Sequence, residues 1–304
     1  MLQRQSEQRH PFTALILLLA IAFGSMVVFT AIAELMGFLI YKANIIQAIQ
    51  NGTANSAMLR LFSAFYSVGT FVIPPFIYAR LRSREPLEYL DFKSPGLILL
   101  LIIVIMLAAT PFLEWSIQLN QQMKFPAFAA SVENWMKYKE IQAEILTKQI
   151  LKMDSLGGLI INLLVVAIIP ALGEELLFRG CLQKIFTNWS NSHHYGIWIA
   201  AILFSAIHLQ FYGFIPRMLL GALFGYLFFF SKNIWVPVFA HFLNNASALI
   251  AAYILQKQGQ SLDNILKPVS QQWYLVILSV IFTALLFYIF IEMTSKHKIV
   301  PDER

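Results

Sequence analysis

The sequence predicts an all-α fold: a polytopic integral membrane protein with about eight transmembrane helices. Three observations carry that prediction. Of the 304 residues, 58% are apolar and only 12% are charged, whereas a soluble domain carries about 25% charged residues. The apolar residues gather into runs close to the ~20 residues that cross a bilayer. The basic residues fall in the connectors between those runs, as the positive-inside rule expects. The net charge of +6 is scattered and forms no basic patch, so membrane lipids are expected as partners and no nucleic acid is. Cys181 is the only cysteine, which excludes an intrachain disulfide.

Taken in order, the first run (12–40) follows a cationic start (Arg4, Arg9, His10) but is too long for a signal-peptide core, so it is read as a retained span. Glu34 inside it has no partner legible in the sequence. The runs 61–79 and 96–113 follow. The connection 114–156 is too long for a plain loop, and Val132, Trp135, Met136, Ala143, Leu146 and Ile150 recur in it at helical spacing with Lys and Glu between. Tyr138, Ile141 and Ile145 blur that stripe. The pattern predicts an amphipathic helix, either lying in the membrane interface or packed on the protein surface.

Spans are predicted next at 157–186, 196–212, 215–230, 234–254 and 273–292. Gly221 and Gly225 predict a close helix–helix contact, and His193 and His194 fall in a turn expected to be solvated. No internal repeat and no matched pair of broken helices is present, which counts against a transporter. The chain divides into N-terminal helices with the amphipathic connection (1–156), a central core (157–254) and a C-terminal helix and tail (255–304).

Counting basic residues orients the chain. With the N-terminus inside, the inner segments hold twelve Lys and Arg and the outer ones ten, five of which lie in the 114–156 connection. Both termini are therefore expected on the cytoplasmic side.

The central core carries the unusual residues. Two adjacent carboxylates and an arginine interrupt the apolar stretch IIPALGEELLFRGCLQ (168–183), although a charge within a bilayer is costly and calls for pairing or chemistry. Glu175 and Arg179 stand at i and i+4 with the acid first, the favourable order for a pair, whereas Glu174 points about 100° away. The economical division gives Glu175–Arg179 a structural role and leaves Glu174 for chemistry. Pro170 should kink the helix one turn earlier. His208 lies 12 residues along the next predicted helix, with Phe204 one turn before it, and His241 and Asn245 share a face of a third. Asn244 is a turn-offset alternative to Asn245. Each group alone has an ordinary reading, as a salt bridge or an interhelical hydrogen bond. Together they place polar residues from three helices at one depth. No zincin signature, nucleophile elbow, P-loop or dinucleotide fingerprint is present.

These residues resemble the CPBP group of intramembrane peptidases, named for CAAX prenyl-protein processing and bacteriocin processing and including Abi-like proteins. The three family motifs, Glu-Glu-x-x-x-Arg, Phe-x-x-x-His and His-x-x-x-Asn, read here EELLFR (174–179), FSAIH (204–208) and HFLNN (241–245), in order. The resemblance is concentrated in about 157–254. It implies motif helices around a polar intramembrane chamber, with Glu174 and His208 activating a water and His241 and Asn245 stabilising the oxyanion, while Glu175, Arg179 and Phe204 give support. The implied function is an intramembrane endopeptidase acting on a peptide or lipidated-protein substrate near the cytoplasmic side. The alternative is a non-proteolytic immunity or scaffolding protein on the same fold. A bacterial inner (plasma) membrane follows from the breadth of the family. Glu174, His208 and His241 are also a donor set that zinc accepts, so a zinc enzyme and a metal-free Glu/His base are both open, and no required cofactor is the preferred reading.

Overall fold

The computed structural model describes residues 10–265, 267 and 269–296. Arg4, Arg9, Lys298 and Arg304, which enter the charge count, lie outside the described residues. Within them the chain is helical, and seven helices are long and apolar enough to cross a membrane. The main elements are α1 (Pro11–Tyr41), the short α2 (Ile45–Gln50), α3 (Ser56–Arg82), α4 (Ile98–Gln121), α5 (Ala130–Leu151), α6 (Leu156–Ser190), α7 (His193–Ala206), α8 (Phe214–Ser231), α9 (Trp235–Lys257) and α10 (Trp273–Lys296).

Seven of the eight expected spans are present, and α7 departs from expectation. It ends at Ala206, so its 14 residues reach only about 21 Å, short of the ~30 Å hydrocarbon layer. Leu209 takes φ +53°, a left-handed conformation that stops a helix. The His208 ring donates its Nδ1–H to the Phe204 carbonyl at 2.8 Å, satisfying one of the acceptors a helix end leaves open. His208 therefore sits in a turn and not on a helix. A hairpin is retained all the same, because α8 packs back along α7. The glycines make that approach close: a Cβ on Gly225 would lie 2.8 Å from Ile197 Cγ2. His193 and His194 are not simply solvated. The first stacks on Phe229 with ring centroids 4.0 Å apart, and the second bonds the Tyr226 hydroxyl at 2.8 Å.

Prolines explain the irregularities of the long helices. Pro74 and Pro75 in α3 follow a π-turn at Val68–Val72, and Pro170 in α6 follows one at Leu163–Ile168. Proline offers no N–H and crowds the preceding turn, and a widened turn relieves the crowding without ending the helix. The second widened stretch of α6, Leu176–Gln183, is buried at every position.

The amphipathic connection is helix α5, but its stripe is not the expected one. Met136 is buried and Ala143, Leu146 and Ile150 are half-buried, while Val132 and Trp135 face outward with Tyr138, Ile141 and Ile145. The residues that blurred the stripe form the exposed apolar face. Glu34 also finds its partner: its two carboxylate oxygens accept the N–H groups of Ile45 and Ile46 at 3.1 and 2.7 Å, capping the start of α2, where a negative charge is favourable.

Two faces of the bundle can be told apart by what binds across them. On one, the connector after α3 meets the ends of α6 and α9: Lys184 pairs with Asp91 at 2.8 Å, and the Ile234 N–H bonds the Asp91 carbonyl at 3.0 Å. We call this the connector face. On the other, α5 packs against the start of α3 and the turn before α8. There Ser56 donates to the Gln149 carbonyl at 2.7 Å, and Trp135 meets Phe211 at 5.3 Å. This is the α5 face.

Candidate active site

The four proposed reacting residues reach one place. Glu174, His208, His241 and Asn245 all line a cavity of about 810 Å³ within the bundle, within the usual range for ligand sites. α6 supplies Glu174 at mid-length, the turn after α7 supplies His208, and α9 supplies the other two.

Glu175 is the hub beneath them. It is completely buried, and its Oε1 accepts from Arg179 Nη1 at 2.8 Å and from His241 Nδ1 at 2.9 Å. The expected Glu175–Arg179 pair is thus formed, and Arg179 also donates to the Gly221 carbonyl at 2.9 Å. Its guanidinium lies 4.9 Å from the Phe204 ring centroid and 5.6 Å from that of Phe224. One turn on, Gln183 Nε2 donates to the Gly225 carbonyl at 3.0 Å. The Gly-x-x-x-Gly step of α8 therefore presents two carbonyls to two donors of α6.

The bond from His241 to Glu175 was not legible in the sequence, and it fixes chemistry. A carboxylate only accepts, so Nδ1 carries the hydrogen and the neutral ring keeps its acceptor at Nε2. That Nε2 lies 3.9 Å from Glu174 Oε2. His208 is fixed in the same tautomer, by the Phe204 carbonyl in place of a carboxylate. Its ring packs edge-on to Phe204 at 5.2 Å, the contact expected of that motif. Both histidines thus leave Nε2 uncommitted.

Asn245 is held by a consequence of Pro170. In an α-helix the Val166 carbonyl would accept from the N–H of residue 170, and proline has none. Asn245 Nδ2 donates to that carbonyl at 3.3 Å, while Asn245 Oδ1 accepts from Asn244 Nδ2 at 3.1 Å. One N–H of the Asn245 amide remains uncommitted. The kink and the third motif are one device.

Other cavity residues carried no signal at the level of sequence patterns. Arg217 on α8, Glu140 on α5, Glu114 on α4 and Tyr212 all line the wall. Arg217 binds the carbonyl and the side-chain oxygen of Gln210 at 3.3 and 3.0 Å. Burial pushes the Glu140 carboxyl above the usual carboxylate range, against the opposing effect of the Tyr212 N–H it accepts. Asn120 braces the site from α4, accepting the Ile215 N–H at 2.8 Å and donating to the Phe211 carbonyl at 3.1 Å.

With this geometry described, comparison with known proteins places the segment. Residues 156–247, which hold all three motifs, match the family described as type II CAAX prenyl endopeptidase Rce1-like. The motif core is similar to that family over this segment. Among curated relatives, "Uncharacterized protein YpbD" of Bacillus subtilis (strain 168) is 31% identical over 89 residues, covering 28% of this chain and 42% of that protein. "Putative membrane peptidase YdiL" of the same organism is 25% identical over 125 residues, covering 41% and 48%. The chain thus matches less than half the length of each relative. No solved structure matches it significantly.

The matched segment does not present a ready metal site. Glu174, His208 and His241 share the cavity, yet among the described residues no three His, Cys, Asp or Glu side chains converge to hold a metal ion.

Proposed function

We propose that the protein is an intramembrane endopeptidase, hydrolysing a peptide bond of a protein or prenylated-peptide substrate with water activated by Glu174 and His208. We place it in a bacterial plasma membrane with both termini in the cytoplasm. The observation that carries this reading is the convergence of all three motifs on one polar cavity inside an apolar bundle.

Each residue has a task suited to its surroundings. Glu174 takes the proton of the attacking water and returns it to the leaving amine, the work of a general base turned general acid. His208, with Nδ1–H held by Phe204, offers Nε2 to orient the same water. The uncommitted amide hydrogen of Asn245 donates to the oxyanion, and His241 does so from Nε2 when that nitrogen carries a proton, with Glu175 holding the other side of the ring. Donors fixed in a site that excludes water stabilise developing charge strongly. Arg179 acts further back, keeping Glu175 in place. No step in this scheme passes through a metal. The scheme is tested by incubating the purified protein in lipid with a proteome-derived peptide library. Cleavage that is lost in Glu174→Gln supports it, and absence of cleavage in several lipids favours the scaffolding alternative.

A further inference from the structure

His208 needs support that the other site residues do not, because it lies beyond the last turn of α7. In a continued helix the backbone N–H of His208 would bond the Phe204 carbonyl. Here the ring Nδ1–H takes that acceptor, at 2.8 Å. The orientation of the imidazole, and with it the uncommitted Nε2, therefore depends on the helix breaking where it does. Leu209 makes the break with a φ of +53°. That left-handed conformation is costly for any residue with a Cβ, and it persists only where the surroundings hold it.

Packing does not supply that hold. No residue from Ala206 to Ile215 is buried, and Leu209 is 44% exposed. The turn runs between the chamber and a second cavity of about 240 Å³ lined in part by Met123, Met136 and Phe211, and Tyr212 lines both. Hydrogen bonds hold the turn instead. Ser205 donates to the Phe214 carbonyl at 2.7 Å, Glu140 accepts the Tyr212 N–H at 3.4 Å, and Arg217 grips Gln210. Asn120 of α4 makes the pair that spans the turn, donating to the Phe211 carbonyl at 3.1 Å and accepting the Ile215 N–H at 2.8 Å. It is 5% exposed and lies outside the matched segment 156–247.

We propose that Asn120 is a positioning residue: by fixing Phe211 and Ile215 it holds Leu209 in the left-handed region, and so holds the His208 ring in its Nδ1–H form with Nε2 uncommitted. The proposal rests on the peptidase reading for the task of that nitrogen, the orientation of the attacking water. Without the brace, Leu209 relaxes toward ordinary backbone, and the His208 backbone N–H competes with the ring for the Phe204 carbonyl. Glycine at position 209 would need no such hold, since it takes positive φ about as readily as negative.

Nitrogen NMR of protein carrying isotope-labelled histidine reads the ring without requiring activity, at a pH well above the usual histidine pKa. The signals missing from His208→Ala identify it. The wild type should show His208 in the Nδ1–H form alone. Asn120→Ala should bring in a second, Nε2–H form, and Leu209→Gly in the same chain should remove it again. A merely structural role for Asn120 would not be repaired by a change at this exposed position. An unchanged His208 signal in Asn120→Ala, or a change that Leu209→Gly leaves in place, overturns the proposal. If Asn120→Ala does not fold, Glu140→Ala loosens the same turn at Tyr212 and should show the second form, whereas Glu140→Gln keeps an acceptor and should not; identical spectra of the two overturn it.

Hydrolysis gives an independent reading. Asn120→Ala should lower kcat about 10²-fold, the order of loss for a misplacement of about 1 Å, with KM little changed. In a His208→Ala background the same substitution should cost at most about twofold more, because residues that act as one unit are not additive. An equal loss in both backgrounds overturns the proposal. A wild type without hydrolysis defeats the peptidase reading and leaves the nitrogen spectra to decide the positioning.

Discussion

Replacing Glu175 with alanine should cost both stability and activity, and the two losses should be separable. The carboxylate is fully buried and shares one oxygen between Arg179 at 2.8 Å and His241 at 2.9 Å. Its removal leaves a guanidinium that is 1% exposed with the Gly221 carbonyl as its remaining hydrogen-bond acceptor. Breaking a buried pair in this way costs about 3–5 kcal/mol. The rings of Phe204 and Phe224 return part of that, on the order of 2 kcal/mol for a desolvated cation–π contact. A net loss of about 1–3 kcal/mol is expected, measured by unfolding the purified protein in mixed micelles. The double variant Glu175→Ala/Arg179→Met carries no lone charge, and replacement of a buried pair by apolar groups is often neutral. It should regain most of the stability and none of the activity, because His241 still lacks its anchor. If Glu175→Ala unfolds like the wild type, or if the double variant recovers hydrolysis as well, the assignment of Glu175 as the hub is wrong.

Three further outcomes are expected. Asn245→Ala should lower turnover by about 10²–10³, the usual loss for one oxyanion donor, with substrate KM little changed, and should also lower stability by about 1–3 kcal/mol because the Val166 carbonyl loses its partner; full activity would remove Asn245 from the site. Gly196→Ala should be poorly tolerated, since its Cβ would lie 2.8 Å from the Thr187 backbone nitrogen and 2.9 Å from the Gln183 carbonyl oxygen, and wild-type thermal stability of that variant would contradict the packing of α7 on α6. Exhaustive chelation should leave hydrolysis intact, with far less than one equivalent of metal per chain by elemental analysis; stoichiometric zinc that disappears in both His208→Ala and His241→Ala would replace the metal-free scheme.

Much of the architecture could be read from sequence because a bilayer imposes strong rules. Every backbone group must be satisfied within the membrane, so apolar runs of spanning length become helices, and the passage of α6 straight through its glutamates follows from that. The Glu175–Arg179 pair was equally legible, being set by helical phase on a single element. The exceptions arise where two elements meet. α7 stops at Ala206 because a side-chain bond and one left-handed residue end it, and neither has a hydropathy signal. The bond from His241 to Glu175 joins residues 66 positions apart, and no periodicity reports such a contact. Asn245 shows an intermediate case: Pro170 announces an orphaned carbonyl, but only the fold identifies the side chain that answers it. On α5 the stripe was misassigned because both of its faces are apolar, one turned to the protein and one outward.

The most direct test of the central claim is the rate of peptide-bond hydrolysis by Glu174→Gln beside the wild type, both purified, folded and reconstituted in the same lipid. The substitution preserves shape and removes the base. A general base contributes about 10²–10⁴ in rate, so hydrolysis should fall at least about 10²-fold while the unfolding transition stays in place. Hydrolysis by Glu174→Gln within tenfold of the wild type (an order-of-magnitude bound) would contradict the account.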